Sequence, residues 1–447
     1  MWGAATSAYQ IEGGVDLDGR GRSIWDTFAA TPGRVRGGHD GSVAADHRRR
    51  YGADVALLAE LGIPAYRFSV AWPRVQPDGR GPVSESGLDF YRRLVDELLA
   101  AGIEPVVTLY HWDLPQALED AGGWPARETA TRFADYAAVV AGALGDRVRR
   151  WCTVNEPWCV AMLGYGGGDH APGRTEPDAA VAAAHHVLLA HGLAVAVLRS
   201  AVSVRDPELA LSLNPYPVVP VSDDPADVDA ARRVDGIANR LWYDAVLNGR
   251  YPDDVLDDLA AVSDLHHLRD GDLAVISAPI DALGINYYRR YHVRHEPGAS
   301  AVGPWPGSPD LDFVEPPVAH TDGGWAIEPA GLTEVLLAVT TDYEPPPLYV
   351  HENGAAFDTG PDASGVVADD GRVAYLDAHL RAAHDAIRGG VDLRGYFVWS
   401  LLDNFEWAEG YDHRFGIVHV DFATQQRTPK ASARWYAEIV AANGFRT

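Results

Sequence analysis

Two short segments of this 447-residue chain, Thr153-Val154-Asn155-Glu156-Pro157 and Val350-His351-Glu352-Asn353-Gly354, each end an apolar run on a carboxylate. Hydrolysis of a glycosidic bond asks for such a pair, one carboxyl giving a proton to the leaving oxygen and the other acting as nucleophile or base. Almost half the chain separates the two glutamates, so the elements around them must bring the carboxyls together. Cys152 and Cys159 flank Glu156 and are the only cysteines, too few for a disulfide framework. They read as small buried hydrophobes. His185-His186 and His266-His267 lie in helical or loop stretches without the partner spacing of a metal site, so no metal is assigned.

A formal charge of −26 argues against nucleic-acid or anionic-membrane partners, which need basic patches. Hydrophobic residues make up 47% of the chain, enough for a large core, and no segment reads as an uninterrupted membrane span. Lys430 is the only lysine, a feature of composition rather than of mechanism. No cationic stretch followed by an apolar one opens the chain, so a cytoplasmic location is the default expectation.

The carboxylates need a scaffold, and the pattern supplies one. Apolar, β-rich runs at Trp2–Ala8, Ala65–Val70, Glu104–Tyr110, Arg150–Val154, Leu209–Asn214, Asp281–Tyr287, Leu348–Glu352 and Gly395–Ser400 predict eight strands. Amphipathic stretches follow them at Asp46–Leu61, Leu88–Ala101, Arg127–Leu144, Ala179–Arg199, Asp227–Asn248, Leu332–Thr341, Arg372–Arg388 and Ala431–Ala441. Gly62, Gly102, Gly145, Gly249 and Gly389 read as helix stops. Eight alternations predict a parallel α/β fold closed into one (β/α)₈ TIM barrel over residues 1–447, with the active site at the carboxyl ends of the strands. The rival doubly wound sheet lacks its phosphate loop, since no G-x-G-x-x-G follows a strand. The Pro-, Gly-, Asp- and Ser-rich run from Glu296 to Gly324 reads as a long loop that shapes the pocket entrance.

Polar residues gather where such a barrel keeps its site. Arg67 lies in the second strand, His111-Trp112-Asp113 ends the third and Asn155-Glu156 the fourth; Asn286-Tyr287-Tyr288 ends the sixth, Glu352-Asn353 the seventh and Trp399 the eighth. With these in place the chain resembles the β-glucosidase family, glycoside hydrolase family 1. The resemblance is carried by Trp2 to Gly13, Tyr66-Arg67-Phe68-Ser69, Tyr110 to Pro115, Thr153 to Trp158, Leu283 to Tyr288, Glu352-Asn353-Gly354, Trp399 to Trp407, and the final run from Arg414-Phe415-Gly416 to Arg427-Thr428-Pro429-Lys430. It spans essentially the whole chain in family order.

The resemblance implies Glu156 as acid/base and Glu352 as nucleophile of a retaining enzyme, which places their carboxyls about 5–5.5 Å apart. Arg67 would keep Glu352 ionised, and the charge of Glu352 would hold a proton on Glu156. Tyr288 would donate to the nucleophile, Asn155 would meet the sugar 2-hydroxyl, and Asn286 would stand behind them, near Tyr288 and the acid/base Glu156. Gln10, His111, Glu406 and Trp407 match the residues that bind the non-reducing sugar, with Trp399 beneath it. Trp158 and Trp325 are expected on the leaving-group side, with Trp305 a weaker candidate. An anionic Glu406 would repel a 6-phosphoryl group, and a glutamate at 156, rather than the glutamine of plant thioglucosidases, argues for O-glycoside hydrolysis. No cofactor is implied.

Three departures stand out. The chain starts almost on its first strand, where relatives carry more lead-in, which implies a late start or a less covered barrel bottom. Arg48-Arg49 replaces an aromatic and a histidine and reads as a surface change. His351 stands where threonine is frequent; alternation along the strand would point it away from Glu352, into a structural role that could still touch the pH profile. The implied activity is hydrolysis of small β-glucosides or cello-oligosaccharides. A β-galactosidase or β-fucosidase, a transglycosylase, and a silent sugar-binding protein stay open as alternatives, the last opposed by the presence of both glutamates, Arg67 and Tyr288.

Overall fold

The computed structural model describes residues 1–299 and 303–445; residues 300–302 of the long loop lie outside the described residues. Eight parallel strands close a barrel in chain order: β1 (Trp2–Ala5), β2 (Ala65–Ser69), β3 (Glu104–Tyr110), β4 (Arg150–Asn155), β5 (Glu208–Leu213), β6 (Ala282–Asn286), β7 (Leu348–Asn353) and β8 (Leu393–Trp399). Closure is visible at β1, where Ala4 and Ala5 pair with Tyr66 and Arg67 of β2 on one side and with Val398 and Trp399 of β8 on the other.

The strand positions agree with the sequence pattern, and the differences lie at their ends. β1 stops at Ala5 rather than Ala8, and residues Ala8–Ile11 turn into one helical turn that carries Gln10. The barrel interior alternates small and large side chains: Ala5, Ala65, Val106, Ala210 and Ala282 surround Tyr349, Phe397 and Trp399. A barrel of eight strands is just wide enough to be filled this way, so it is a packed plug beneath the rim.

Outside it, helices cover the strands with apolar faces. The segment Glu85–Ala100 buries Leu88, Tyr91, Leu94, Val95 and Leu98, and Ser84 caps it by accepting from the Gly87 amide at 3.2 Å. Gly62, Gly102 and Gly249 stop helices in the left-handed conformation, as expected. Gly145 and Gly389 keep right-handed geometry, and after Gly389 the reversal falls one residue later, at Gly390.

Two sequence expectations need correction here. The helix Pro177–Ala201 runs 25 residues and holds an 18-residue stretch of mean hydropathy 1.8, long and apolar enough to cross a membrane, yet 83% of that stretch is buried against the protein itself. Its apolar length reflects burial on most sides, including against the helix Glu128–Leu144 and strand β4. The stretch Asp227–Asn248 is not one regular helix: Pro225–Asp235 is followed by widened π-type turns at Gly236–Arg240 and Asp244–Asn248.

The long loop between β6 and β7 has order of its own. Leu311–Phe313 pairs antiparallel with Tyr291–His295, which pairs in parallel with Val218–Pro220, forming a small sheet beside the rim. Arg48, expected at the surface, instead makes a two-pronged contact with Asp18 at 2.7 Å and lies over Phe90.

Candidate active site

A pocket of about 790 Å³ opens at the carboxyl ends of the strands, lined among others by Glu156, Glu352, His111, Trp399, Glu406 and Trp407. The two glutamates, distant in sequence, share it.

Glu352 reaches the inner side of the barrel through an irregularity. The register of β7 shifts between Val350 and Glu352 against β6 and between Val350 and Asn353 against β8. Regular alternation would send His351 and Glu352 to opposite faces, the basis of the expectation for His351. The bulge removes that alternation. His351 lies in the barrel interior with its Nδ1 2.6 Å from Ser212 Oγ, and Arg67 Nη2 donates to the same oxygen at 3.3 Å. The histidine therefore sits below the site rather than away from it. A Cβ at Gly284 would fall 2.1 Å from His351 Nδ1, so β6 needs glycine where the imidazole crosses. Burial and the charge of Arg67 hold His351 well below the usual histidine range, and it is neutral.

Above it, Arg67 Nη1 donates to Glu352 Oε1 at 2.6 Å and Tyr288 Oη to Glu352 Oε2 at 2.8 Å. Burial pushes the Glu352 carboxyl above its ordinary range, and Arg67 first, then Tyr288 and Asn286, offset part of that rise. Glu156 is pushed the same way with weaker opposition. It leaves β4 in a left-handed conformation (φ 49°), accepts from Asn286 Nδ2 at 2.7 Å and from the Cys159 thiol at 3.1 Å. Burial and the nearby charge of Glu352 push it up to about 8, the weaker donors only partly opposing. With a guanidinium at its oxygen, Glu352 is the first of the pair to ionise; Glu156 keeps the proton. Asn286 favours the charged form of both carboxyls, directly at Glu156 and more weakly at Glu352.

Asn155 is held rather than free. Its Oδ1 accepts from Arg67 Nη2 at 2.6 Å and from Asn286 Nδ2 at 3.1 Å, and its Nδ2 lies 3.1 Å from His111 Nε2. Gln10 Nε2 donates to Glu406 Oε2 at 3.1 Å and to Asn404 Oδ1 at 3.0 Å, and Ser7 Oγ donates to Gln10 Oε1 at 2.6 Å. His111 stacks on Trp399 at 5.7 Å between ring centres, and Trp407 stacks on Tyr9 at 6.1 Å. His111, Trp399, Glu406 and Trp407 line one pocket, with Gln10 bonded to Glu406 behind them.

Burial first, then the negative charge of Glu352, push the Glu406 carboxyl well above the ordinary range. Three carboxyls crowd one cation, Arg67, and only the best-paired one ionises easily. Trp112, Glu156 and Trp407 all line the pocket with positive φ (78°, 49° and 52°), strain of about 1–3 kcal/mol each that clusters at this rim.

On the outer side, Trp158 and Trp325 line the pocket. Trp305 is buried behind Trp158, 5.3 Å between ring centres, and supports that wall from the rear. Sequence reasoning missed Cys159, Tyr216, Arg289 and Asn404. Cys159 was expected to be inert, although a residue three positions past Glu156 at the start of a helical turn returns to the same face. Tyr216, just past the end of β5, completes the set of strand ends that β5 had lacked. Among the described residues no group of three or more His, Cys, Asp or Glu side chains is arranged to hold a metal ion.

A closed parallel barrel whose rim gathers two buried carboxyls of unlike environment, ringed by sugar-sized hydrogen-bonding and aromatic groups, has the build of a glycoside-cleaving enzyme. The chain belongs to glycosyl hydrolase family 1, whose model matches residues 1–445. It is 52% identical to a thermostable β-glucosidase B of Thermobispora bispora over 100% of this chain and 90% of that one. A bifunctional β-D-glucosidase/β-D-fucosidase of Bifidobacterium breve is 46% identical over 100% of this chain and 98% of the relative. Among solved structures, a psychrophilic β-glucosidase of Micrococcus antarcticus superimposes with a TM-score of 0.96 at 48% identity, covering 100% of this chain and 97% of that one.

Proposed function

We propose that this chain is a retaining β-glucosidase that releases terminal non-reducing β-D-glucosyl residues from small glucosides and cello-oligosaccharides. The observation that carries the reading is the unequal setting of the two carboxyls: Arg67 and Tyr288 on Glu352, against burial and a like charge on Glu156. In the first step Glu352 attacks the anomeric carbon as Glu156 passes its proton to the departing oxygen, leaving a glycosyl-enzyme ester. The ester carries no charge, so the push that kept Glu156 protonated falls away. Glu156 then takes a proton from water, the water oxygen attacks the anomeric carbon, and Glu352 departs as carboxylate with the β configuration restored.

Gln10, His111, Glu406 and Trp407 hold the hydroxyls of the non-reducing sugar, with Trp399 under its apolar face. The neutral Gln10 beside Glu406 supports a hydroxyl rather than a phosphoryl group at that end. The name of the Bifidobacterium relative supports tolerance of β-fucosides. The two free, buried thiols support a reducing compartment such as the cytoplasm.

Labelling with a 2-deoxy-2-fluoro-β-glucoside and peptide mass analysis test the assignment. The adduct is expected on Glu352, and an adduct on any other residue overturns it. Glu156→Ala is expected to spare substrates with acidic leaving groups and to lose those that need protonation; equal loss on both removes the acid role.

A further inference from the structure

Arg289 follows Tyr288 on the segment leaving β6 and lines the outer part of the pocket. Its guanidinium carbon lies 5.0 Å from the ring centre of Tyr291 and 5.3 Å from that of Trp325. Stacking between two rings fixes the plane of the group while leaving most of its N–H donors uncommitted. The only hydrogen bond it makes among the described residues is a long one, Nη2 to Tyr291 Oη at 3.5 Å. No carboxylate of the described residues comes within ion-pairing distance. Its neighbour Arg290, by contrast, is paired with both Glu328 and Glu334. Glu315 acts on Arg289 only from farther off and is engaged with His320 at 3.4 Å.

In a chain with 63 acidic and 37 basic residues, carboxylates are abundant, so an arginine left without one on a pocket wall is a charge reserved for something else. The wall beside it is aromatic, formed by the mutually tilted rings of Trp158, Tyr216, Tyr291, Trp325 and Phe415. It suits a planar ring. Deeper in, the ionised carboxylate of Glu352 would repel an anion, and Arg289 is the group positioned to offset that on the leaving-group side.

We propose that Arg289 makes the outer pocket a recognition site for aromatic leaving groups that carry a carboxylate, so that anionic aryl β-glucosides are favoured over uncharged ones of the same shape. The proposal rests on the β-glucosidase reading above and adds a substrate class to it. The guanidinium would take the carboxylate through charge-assisted hydrogen bonds while the ring lies against the aromatic wall, and Glu156 would still protonate the departing phenolic oxygen.

The test is kcat/KM for two matched pairs of β-D-glucosides, those of 4-hydroxybenzoate and 4-hydroxybenzamide, and those of 3-(4-hydroxyphenyl)propanoate and its amide. Wild type, Arg289→Gln and Arg289→Lys are compared on each. Leaving-group differences within a pair cancel when the acid-to-amide ratio is compared between proteins. In at least one pair the ratio is expected to fall about tenfold in Arg289→Gln, mainly through KM, and to be partly kept in Arg289→Lys. An unchanged ratio in both pairs overturns the proposal, including the case where Arg289→Gln loses acid and amide alike. Failure of the wild type to cleave any of the four substrates counts instead against the β-glucosidase reading itself.

Discussion

The thiol of Cys159 donates to Oε2 of Glu156 at 3.1 Å, while Asn286 Nδ2 donates to Oε1 of the same carboxyl at 2.7 Å. Burial pushes the Cys159 thiol well above its ordinary range, so it stays protonated and stays a donor. A donor favours the charged form of the carboxyl it touches and so lowers its pKa. Cys159→Val removes that help. Glu156 then holds its proton to higher pH, and the basic limb of the kcat/KM profile moves up by about half a unit, the scale of one weak hydrogen bond. A basic limb that stays in place or moves down would show that the thiol does not tune the acid.

Tyr288 acts on the partner carboxyl with the opposite kinetic signature. Its hydroxyl donates to Glu352 Oε2 at 2.8 Å and pulls that pKa down. In Tyr288→Phe the Glu352 pKa rises, and because Glu352 must be ionised to attack, the acid limb shifts to higher pH. Loss of one charge-assisted hydrogen bond at the reacting carboxylate lowers kcat about tenfold to a hundredfold. An acid limb at the wild-type position would mean that Tyr288 only fills the rim.

The alternation of eight strands and helices, and the polar residues at the strand ends, were legible because burial on two faces writes a periodic signal into the chain. Departures from regular geometry write no such signal. The bulge in β7 that lets His351 and Glu352 share the inner side, the helical turn that carries Gln10 after β1, and the positive φ of Glu156 are set by neighbouring strands. Pattern also failed for Arg289, whose meaning lies in the carboxylates it lacks, and for Cys159, where composition suggested inertness. A sequence gives residue types, while the partners that define those roles come from distant segments.

Acid lability follows from histidines buried without charge. His185, His186 and His267 cluster between the helix Pro177–Ala201 and the segment before Asp272, with ring centres 5.6–6.1 Å apart. Burial, reinforced by mutual repulsion, lowers His186 and His267 to about 4 from an ordinary 6.5. Between those values the unfolded chain binds protons that the folded one refuses, so stability falls as pH drops from about 6.5 towards 4. Differential scanning calorimetry is expected to show the thermal midpoint declining across that window, and His267→Leu is expected to flatten the decline. A midpoint constant from pH 6.5 to 4 in the wild type would remove the cluster as the cause.

Lys430, the single lysine, is wholly buried against an equally buried Asp403, Nζ to Oδ1 at 2.8 Å. Arg414 and the Gly416 amide also donate to Asp403, at 2.9 and 3.1 Å, so the carboxylate ties the segment after β8 to the residues that lead into the antiparallel pair Val418–Asp421 and Gln426–Pro429. The next residue, Asn404, accepts from Gln10, which in turn meets Glu406. Removing one member of a buried pair costs about 3–5 kcal/mol where the other charge is left alone, and less where, as here, Arg414 still faces Asp403. Lys430→Met should therefore lower the thermal midpoint by less than that full cost implies, and Lys430→Met with Asp403→Asn should recover part of the loss. Because Asp403 and Asn404 adjoin, Lys430→Met should also raise KM for glucosides more than it lowers kcat. A double variant no more stable than the single one would mean that Asp403 holds the loop through Arg414 and Gly416, with Lys430 merely filling space.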